Sequence, residues 1–374
     1  MPTIAGLLLS LTCALPAHAD APPHVQAAID GFDVYISSFL KSNKLIGAAV
    51  AVVHGERIVH LKGYGVRSAK DSEPVDEHTV FRIASVSKGF ASTLAAVLAK
   101  DGTLDLDDPV VKFIPEFALK DAAHTRKVSV RHILSQTSGV VPYAYDNLIE
   151  HGVPIARVHK ELRKARLICK PGQCYSYQNV IFSLFSDVAR MAAGKSYEQL
   201  VGERLLTPLG MKSASLGLAG FLASKNRAMP HVRRRGQWRM LKTRKRYYAV
   251  QPAAGINASA TDMAQWLRAQ MGAYPEVLPR EVLKSLHAPA IRTPQERRRF
   301  SRRRRLKRAH YAMGWRVFDY AGHTMVFHSG GVRGYFAQLG FIPEKQIGIV
   351  ILRNSGSGSE LFFEFFDRLL LLKK

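Results

Sequence analysis

The sequence predicts a mixed α/β (α+β) fold: an antiparallel sheet flanked by N- and C-terminal helices, with an all-helical domain inserted between the halves of the sheet. Three observations carry this. Two strand-like apolar runs lie near the N-terminus, four more lie between residues 311 and 352, and the chain between them carries apolar residues mostly at helical spacing. A sheet built from both ends of the chain follows.

In chain order, Val25, Ile29, Phe32, Ile36 and Phe39 recur every three or four residues and predict a helix over Val25–Leu40. Gly47–His54 and Arg57–Val66 read as two strands joined at His54-Gly55-Glu56. Residues 85–100 read as a helix closed by Asp101-Gly102, and Arg131–Leu134, Val180–Ala193 and Tyr197–Leu206 continue an α-rich middle. Ala260–Met271 is a further helix. Tyr311–Asp319, His323–His328, Tyr335–Ile342 and Gln346–Leu352 alternate or run apolar with glycine punctuation, as antiparallel strands do. Glu360–Leu372 ends the chain as a helix too short to span a bilayer, so covering the sheet explains its apolar face. The expected division is a sheet domain of residues 20–80 and 225–374, a helical domain of residues 81–224, and an active site in the cleft between them.

The N-terminus predicts export. Ile4–Leu15 is a short apolar run, followed by Pro16 and the small residues of Ala17-His18-Ala19, a pattern of signal cleavage after Ala19. Residues 1–19 are thus read as a signal peptide and the mature protein as periplasmic or secreted, although Met1-Pro2-Thr3 lacks the usual basic residues. Of the three cysteines, Cys13 leaves with the signal, while Cys169 and Cys174 flank the turn Lys170-Pro171-Gly172-Gln173. In an oxidising compartment a disulfide is expected between them. Two thiols alone do not complete a tetrahedral shell, so neither a metal nor a cofactor is expected.

Charge is the unusual feature: 54 Lys and Arg against 29 Asp and Glu, a formal +25. Its distribution is local. Lys225–Tyr247 holds ten basic residues and no acidic one, and Arg292–Arg308 holds ten against the single Glu296; together they carry +19 and leave +6 for the rest. Neither stretch has the groove-entering helix or stacked aromatics of nucleic-acid binders, since aromatic candidates are few, chiefly Trp238, Tyr247 and Tyr248. Solvated loops are the expected reading, with attraction to an anionic envelope surface as their functional one. The chain is expected to be a monomer with no transmembrane helix after cleavage. A hydrophobic content of 47% excludes a disordered chain.

The chemistry centres on Ser85-Val86-Ser87-Lys88 at the start of a helix. A three-residue spacing sets hydroxyl and amine on one face, where a neutral lysine accepts the serine proton. Unpaired N–H groups at the helix start favour developing negative charge. Both this pattern and Y-x-N occur twice: Ser38-Phe39-Leu40-Lys41 reads as a helix end with a favourable C-terminal cation, and Tyr145-Asp146-Asn147 competes with Tyr177-Gln178-Asn179.

Order and context resolve the choice. FRIASVSKGF, LDLDDPVVKFIPEF, HILSQTSGV, CKPGQCYSYQN and HSGGVRGYFAQLGFIPEKQIGIVILRN resemble, in that order, the successive segments of the serine β-lactamase and penicillin-binding superfamily, especially its class C branch. The resemblance covers nearly all of the mature chain and selects Tyr177 over Tyr145. It implies a β-lactamase/transpeptidase-like fold in which Ser85 attacks a carbonyl, Lys88 and Tyr177 share proton transfer, and the N–H groups of Ser85 and Gly331 form the oxyanion hole. Asn179 would hold Lys88 and the substrate amide, with His328, Ser329 and Gly330 lining the opposite wall. Two departures stand out: His328 replaces the lysine of K-[ST]-G, and Gln136 replaces a common histidine. An imidazole in place of an ammonium predicts weaker, pH-dependent attraction to a substrate carboxylate.

The resemblance thus implies an exported serine hydrolase, class C β-lactamase-like, with D,D-carboxypeptidase, D-aminopeptidase or small-ester hydrolysis as alternatives. A penicillin-binding or sensor protein that acylates without turnover, tethered to the envelope by its basic loops, is the reading from another class.

Overall fold

A computed structural model describes residues 21–42, 45–70, 72–299 and 305–371. The expected signal peptide and Cys13 lie outside the described residues, as does the 300–304 part of the second basic stretch. Strands β1 (Gly47–His54), β2 (Arg57–Gly65), β3 (Ile291–Arg292), β4 (Leu306–Tyr311), β5 (Arg316–Tyr320), β6 (His323–Val332), β7 (Tyr335–Ile342) and β8 (Ile347–Arg353) form one sheet. Its spatial order is β2-β1-β8-β7-β6-β5-β4-β3, with every neighbouring pair antiparallel. The first and last strands lie side by side, second and third in that order, with Ala48 opposite Arg353 and His54 opposite Ile347. The two ends of the chain therefore build one sheet, as the apolar runs predict.

Strand β8 is buried along its whole length and β1 along all but His54, because helices cover both faces. On one face lie α1 (Pro23–Ser42) and α4 (Glu360–Leu369), which meet through an edge-to-face pair, Phe32 and Phe365, 5.6 Å apart. Phe362, Phe363 and Phe366 of α4 are also fully buried, and each such side chain contributes roughly 1.5–3 kcal/mol. On the other face α2 (Ser87–Lys100) packs against α3 (Ala260–Gln270), with Phe90 stacked on Trp266 at 3.6 Å. This second core continues into the helices that occupy much of residues 110–223. Among the described residues no helix is long and apolar enough to cross a membrane.

Several boundaries differ from the sequence reading. Tyr311–Asp319 is two strands, β4 and β5, reversed at Ala312–Trp315; the tight turn carries Gly314, which abuts α2 beside the Lys88 carbonyl. Val180–Ala193 divides at Leu184 into two helices, and Tyr197–Leu206 passes into a π-helical turn at Gly202. Much of the first basic stretch is no loop: His231–Arg234 pairs with Gln237–Met240 as a hairpin. Three short segments, Phe81–Arg82, Ser215–Leu216 and Ile256–Ala258, form a second small sheet leading into the turn that carries Ser85.

Cys169 and Cys174 are joined by a disulfide. The loop they close is tied to the chain beneath it by Gly172 N–H to the Thr137 carbonyl, and the chain just after it by Ser176 N–H to the Gln136 carbonyl, both 2.8 Å. A loop this short restricts the unfolded chain little, so the Cys169→Ser/Cys174→Ser variant should lose no more than about 2 kcal/mol in urea unfolding. A loss several times larger would show that the bond holds the whole helical region rather than this loop.

Candidate active site

Ser85 lies in a 3₁₀ turn, Ala84–Val86, that runs directly into α2. The residue before it, Ala84, has φ of 49°, a left-handed conformation unusual for alanine and a local strain that fixes the serine's direction. Gly330 of β6 comes against this turn from the sheet: a Cβ there would lie 2.6 Å from the Ser85 nitrogen and 2.4 Å from the Ile83 carbonyl. Only glycine lets the strand approach so closely, which brings Ser329 and Gly331 to the same cleft as Ser85.

One helical turn on, Lys88 is fully buried. Its Nζ donates to Asn179 Oδ1 at 2.7 Å and to the Ala253 carbonyl at 3.2 Å, and lies 3.4 Å from Ser85 Oγ. Among the described residues no carboxylate touches it. Burial therefore pushes its pKa well below the ordinary lysine range; Asp146 opposes that shift and the Arg316 charge reinforces it. The Tyr177 ring centroid is 4.7 Å from Nζ. Burial raises the Tyr177 pKa, while Arg316 and a hydrogen bond with Ser85 pull it down. Hydroxyl, amine and phenol thus meet at one point.

Asn179 is oriented by Asp146, whose Oδ2 accepts from Nδ2 at 2.7 Å. Burial raises the Asp146 pKa to about 6, against the pull of Asn179 and Lys88. Asp146 belongs to Tyr145-Asp146-Asn147, the competing Y-x-N; of those three residues only the central one lines the cleft. Gln136 clamps the Tyr177–Asn179 segment, its Nε2 donating to the Gln178 carbonyl at 3.1 Å and its Oε1 accepting from Gln178 N–H at 2.6 Å. Its departure from the family pattern thus carries a positioning role that the sequence alone does not disclose.

The third motif differs most from expectation. His328 is fully buried and is not among the lining residues of the cleft, a cavity of about 460 Å³. Its Nε2 lies 3.1 Å from Arg316 Nη1 and its Nδ1 2.9 Å from the Ser329 carbonyl. A guanidinium only donates, so Nε2 accepts and Nδ1 carries the proton. The residue that brings positive charge to the cleft is Arg316 of β5, the strand next to His328. Its Nε donates to Glu296 Oε2 at 3.0 Å, and both side chains are buried. Although burial opposes its charge, Glu296 and the surrounding phenols hold Arg316 firmly ionised. Its guanidinium stands 5.6 Å from the Tyr177 ring centroid. No local motif marks Arg316. Its only sequence signal is Glu296, the lone acid of the second basic stretch.

Among the described residues no group of acids, histidines or cysteines is placed to hold a metal. Residues 32–371 match the family model described as Beta-lactamase. Protein flp of Staphylococcus aureus strain MW2 is 25% identical over 328 residues; they make up 87% of this chain, but the chain spans only 63% of that relative's length. Penicillin-binding protein 4 of Amycolatopsis lactamdurans is 27% identical over 337 residues, covering 87% of this chain and 84% of its own. The octameric penicillin-binding protein homologue from Pyrococcus abyssi superposes with a TM-score of 0.81 at 24% identity, covering 92% of this chain and 77% of that one. The match over most of its length places this chain in the beta-lactamase family, within the serine β-lactamase and penicillin-binding superfamily.

Proposed function

We propose that the protein is an exported serine hydrolase that acts through an acyl-enzyme on Ser85, with class C β-lactamase-like amide hydrolysis as its activity. The observation that carries the proposal is the fully buried Lys88, held by an amide oxygen and a backbone carbonyl beside Ser85 with no carboxylate among the described residues in contact. Such an amine is neutral at a pH where a surface lysine is charged. In this reading the Ser85 proton passes to Lys88 or Tyr177 as Oγ bonds to the substrate carbonyl. The N–H groups of Ser85 and Gly331 receive the oxyanion, and the proton is returned to the leaving group as its bond to the carbonyl breaks. Water, with Tyr177 as base, then displaces Ser85 and releases the acid. The chain is read as a monomer whose sheet part (residues 20–80 and 225–374) and helical part (81–224) meet at the cleft, exported by the segment before Asp20.

Arg316 takes over the positive charge that a lysine of the third motif would supply, and His328 serves it as a positioning residue. Retention of a cation supports β-lactam binding in spite of the histidine. A second reading, acylation without turnover, is favoured by the likeness to a penicillin-binding protein over 84% of that relative.

A chromogenic cephalosporin separates these readings. Sustained turnover supports the hydrolase; one equivalent of colour followed by arrest supports the penicillin-binding reading; and no reaction, with cleavage of a nitrophenyl ester or a D-alanyl dipeptide instead, moves the assignment to the other hydrolases. Ser85→Ala should abolish every one of these activities, and Lys88→Ala should slow acylation by about three orders of magnitude or more with an unchanged circular dichroism spectrum. Near-normal acylation by either variant would remove that residue from the mechanism.

The charges around Lys88 set the sign of a pH effect. Arg316 lowers the Lys88 pKa and Asp146 raises it. The acid limb of kcat/KM should therefore move to higher pH in Arg316→Gln/Glu296→Gln, which removes the buried pair together and leaves no lone buried charge. It should move to lower pH in Asp146→Asn, whose amide oxygen still accepts from Asn179. Rate losses without these opposed shifts would mean that both residues act only on packing.

A further inference from the structure

A second cavity, of about 680 Å³, adjoins the catalytic cleft and shares Glu150, Tyr247, Gly331 and Val332 with it. Its walls carry Arg82, Arg234, Lys242, Arg244, Arg246 and Arg333, with Glu150 as the only acid. These cations come from three separate parts of the chain. Arg82 precedes the nucleophile by three residues, and Arg333 follows Gly331 by two at the turn between β6 and β7. Arg234, Lys242, Arg244 and Arg246 come from the hairpin His231–Met240 and the segment after it, the first basic stretch.

Like charges gathered around one cavity repel, and the fold supplies these six no counterion: none of them takes part in an ion pair among the described residues. Arg82 is the clearest case. It is only 6% exposed, its guanidinium lies 3.7 Å from the Tyr248 ring centroid, and its Nε and Nη2 have no hydrogen-bond partner. Burial without a carboxylate lowers its pKa. Those two nitrogens are sealed beneath the wall, but a guanidinium that lines the cavity and has no ion-pair partner among the described residues fits a ligand that brings negative charge. A tether to a membrane or envelope surface would have no need of a concave site that opens onto Ser85.

The geometry points to a substrate subsite: the second cavity binds a polyanionic portion of the substrate, carrying two or more carboxylate or phosphate groups, while the scissile carbonyl lies at Ser85. This deepens the proposed hydrolase function and rests on it. It also gives the first basic stretch a role in substrate choice in place of surface attachment.

The test uses nitrophenyl esters that share one acyl chain length and end in a carboxamide, one carboxylate, a geminal dicarboxylate or a phosphate. Each hydrolysis consumes water and yields the free acid and nitrophenol. The dicarboxylate and phosphate esters should show kcat/KM about tenfold above the carboxamide at ~50 mM NaCl, with most of that advantage gone at ~500 mM. The exposed triple variant Lys242→Gln/Arg244→Gln/Arg333→Gln should lose the anionic preference selectively. A flat series, or a preference that survives in the triple variant, overturns the subsite.

Calorimetry on the Ser85→Ala protein with inorganic tripolyphosphate and with tricarballylate reads the subsite apart from catalysis. At least one should bind, about tenfold more weakly to the protein that also carries the triple substitution, and the stronger of the two distinguishes phosphate from carboxylate. Binding of neither overturns the subsite whatever the esters show. Binding by the cavity with no hydrolysis of any ester or β-lactam would sink the hydrolase reading and not the anion site.

Discussion

The structure is organised around one costly placement, a lysine amine inside the protein with no carboxylate among the described residues against it. Taking an ammonium out of water costs several kcal/mol, so the neutral form of Lys88 is favoured and its hydrogen bonds go to groups that accept without carrying charge. The rest of the site follows from protecting that state. Helix α2 is buried along nearly its whole length, which keeps the amine inside the protein beside Ser85. Gly330 lets the sheet close against the Ser85 turn, and Asp146 is joined to the amine by hydrogen bonds through Asn179.

Positive charge is then brought back close to this neutral amine in a group that cannot give up its proton. Arg316 keeps its charge through Glu296, and the pair joins the sheet to the short helix Pro294–Arg299 within the second basic stretch. The same guanidinium adds to the lowering of the Lys88 pKa and offsets part of the rise that burial imposes on Tyr177. His328 stands behind it as an acceptor, which explains how a histidine can occupy the lysine position of the third motif without leaving the cleft uncharged. The basicity of the whole chain, +25, is in part the surroundings of this site: one stretch lines a cavity beside it, and the other holds the carboxylate of its central ion pair.

Features encoded locally were legible in the sequence. The helical period of Val25–Leu40, the apolar runs of β1 and β8, the S-x-x-K spacing and the turn between two cysteines depend on neighbours within a few residues, and each has its structural counterpart. What could not be read depends on strand register and on contacts between distant segments. Arg316 is opposite Phe327, one position from His328, only because β4 turns back at Gly314, and the expectation of a single strand over Tyr311–Asp319 hides that turn. Asp146 and Gln136 act on Asn179 and Gln178 across 33 and 42 residues of chain. Charge counting located the two basic stretches but could not show that the first folds into a hairpin beside the cleft.

The central claim is that Lys88 is neutral in the resting protein, and its side chain can be observed directly. In Ser85→Ala protein labelled with ¹⁵N-lysine, the Lys88 Nζ resonance, assigned by its loss in Lys88→Arg, can be followed through a pH titration by NMR. The account predicts that it loses its proton well below the surface lysines, which titrate near ~10.4. An Nζ that stays protonated until the surface lysines titrate would contradict it and leave Ser85 without the base on which the mechanism depends.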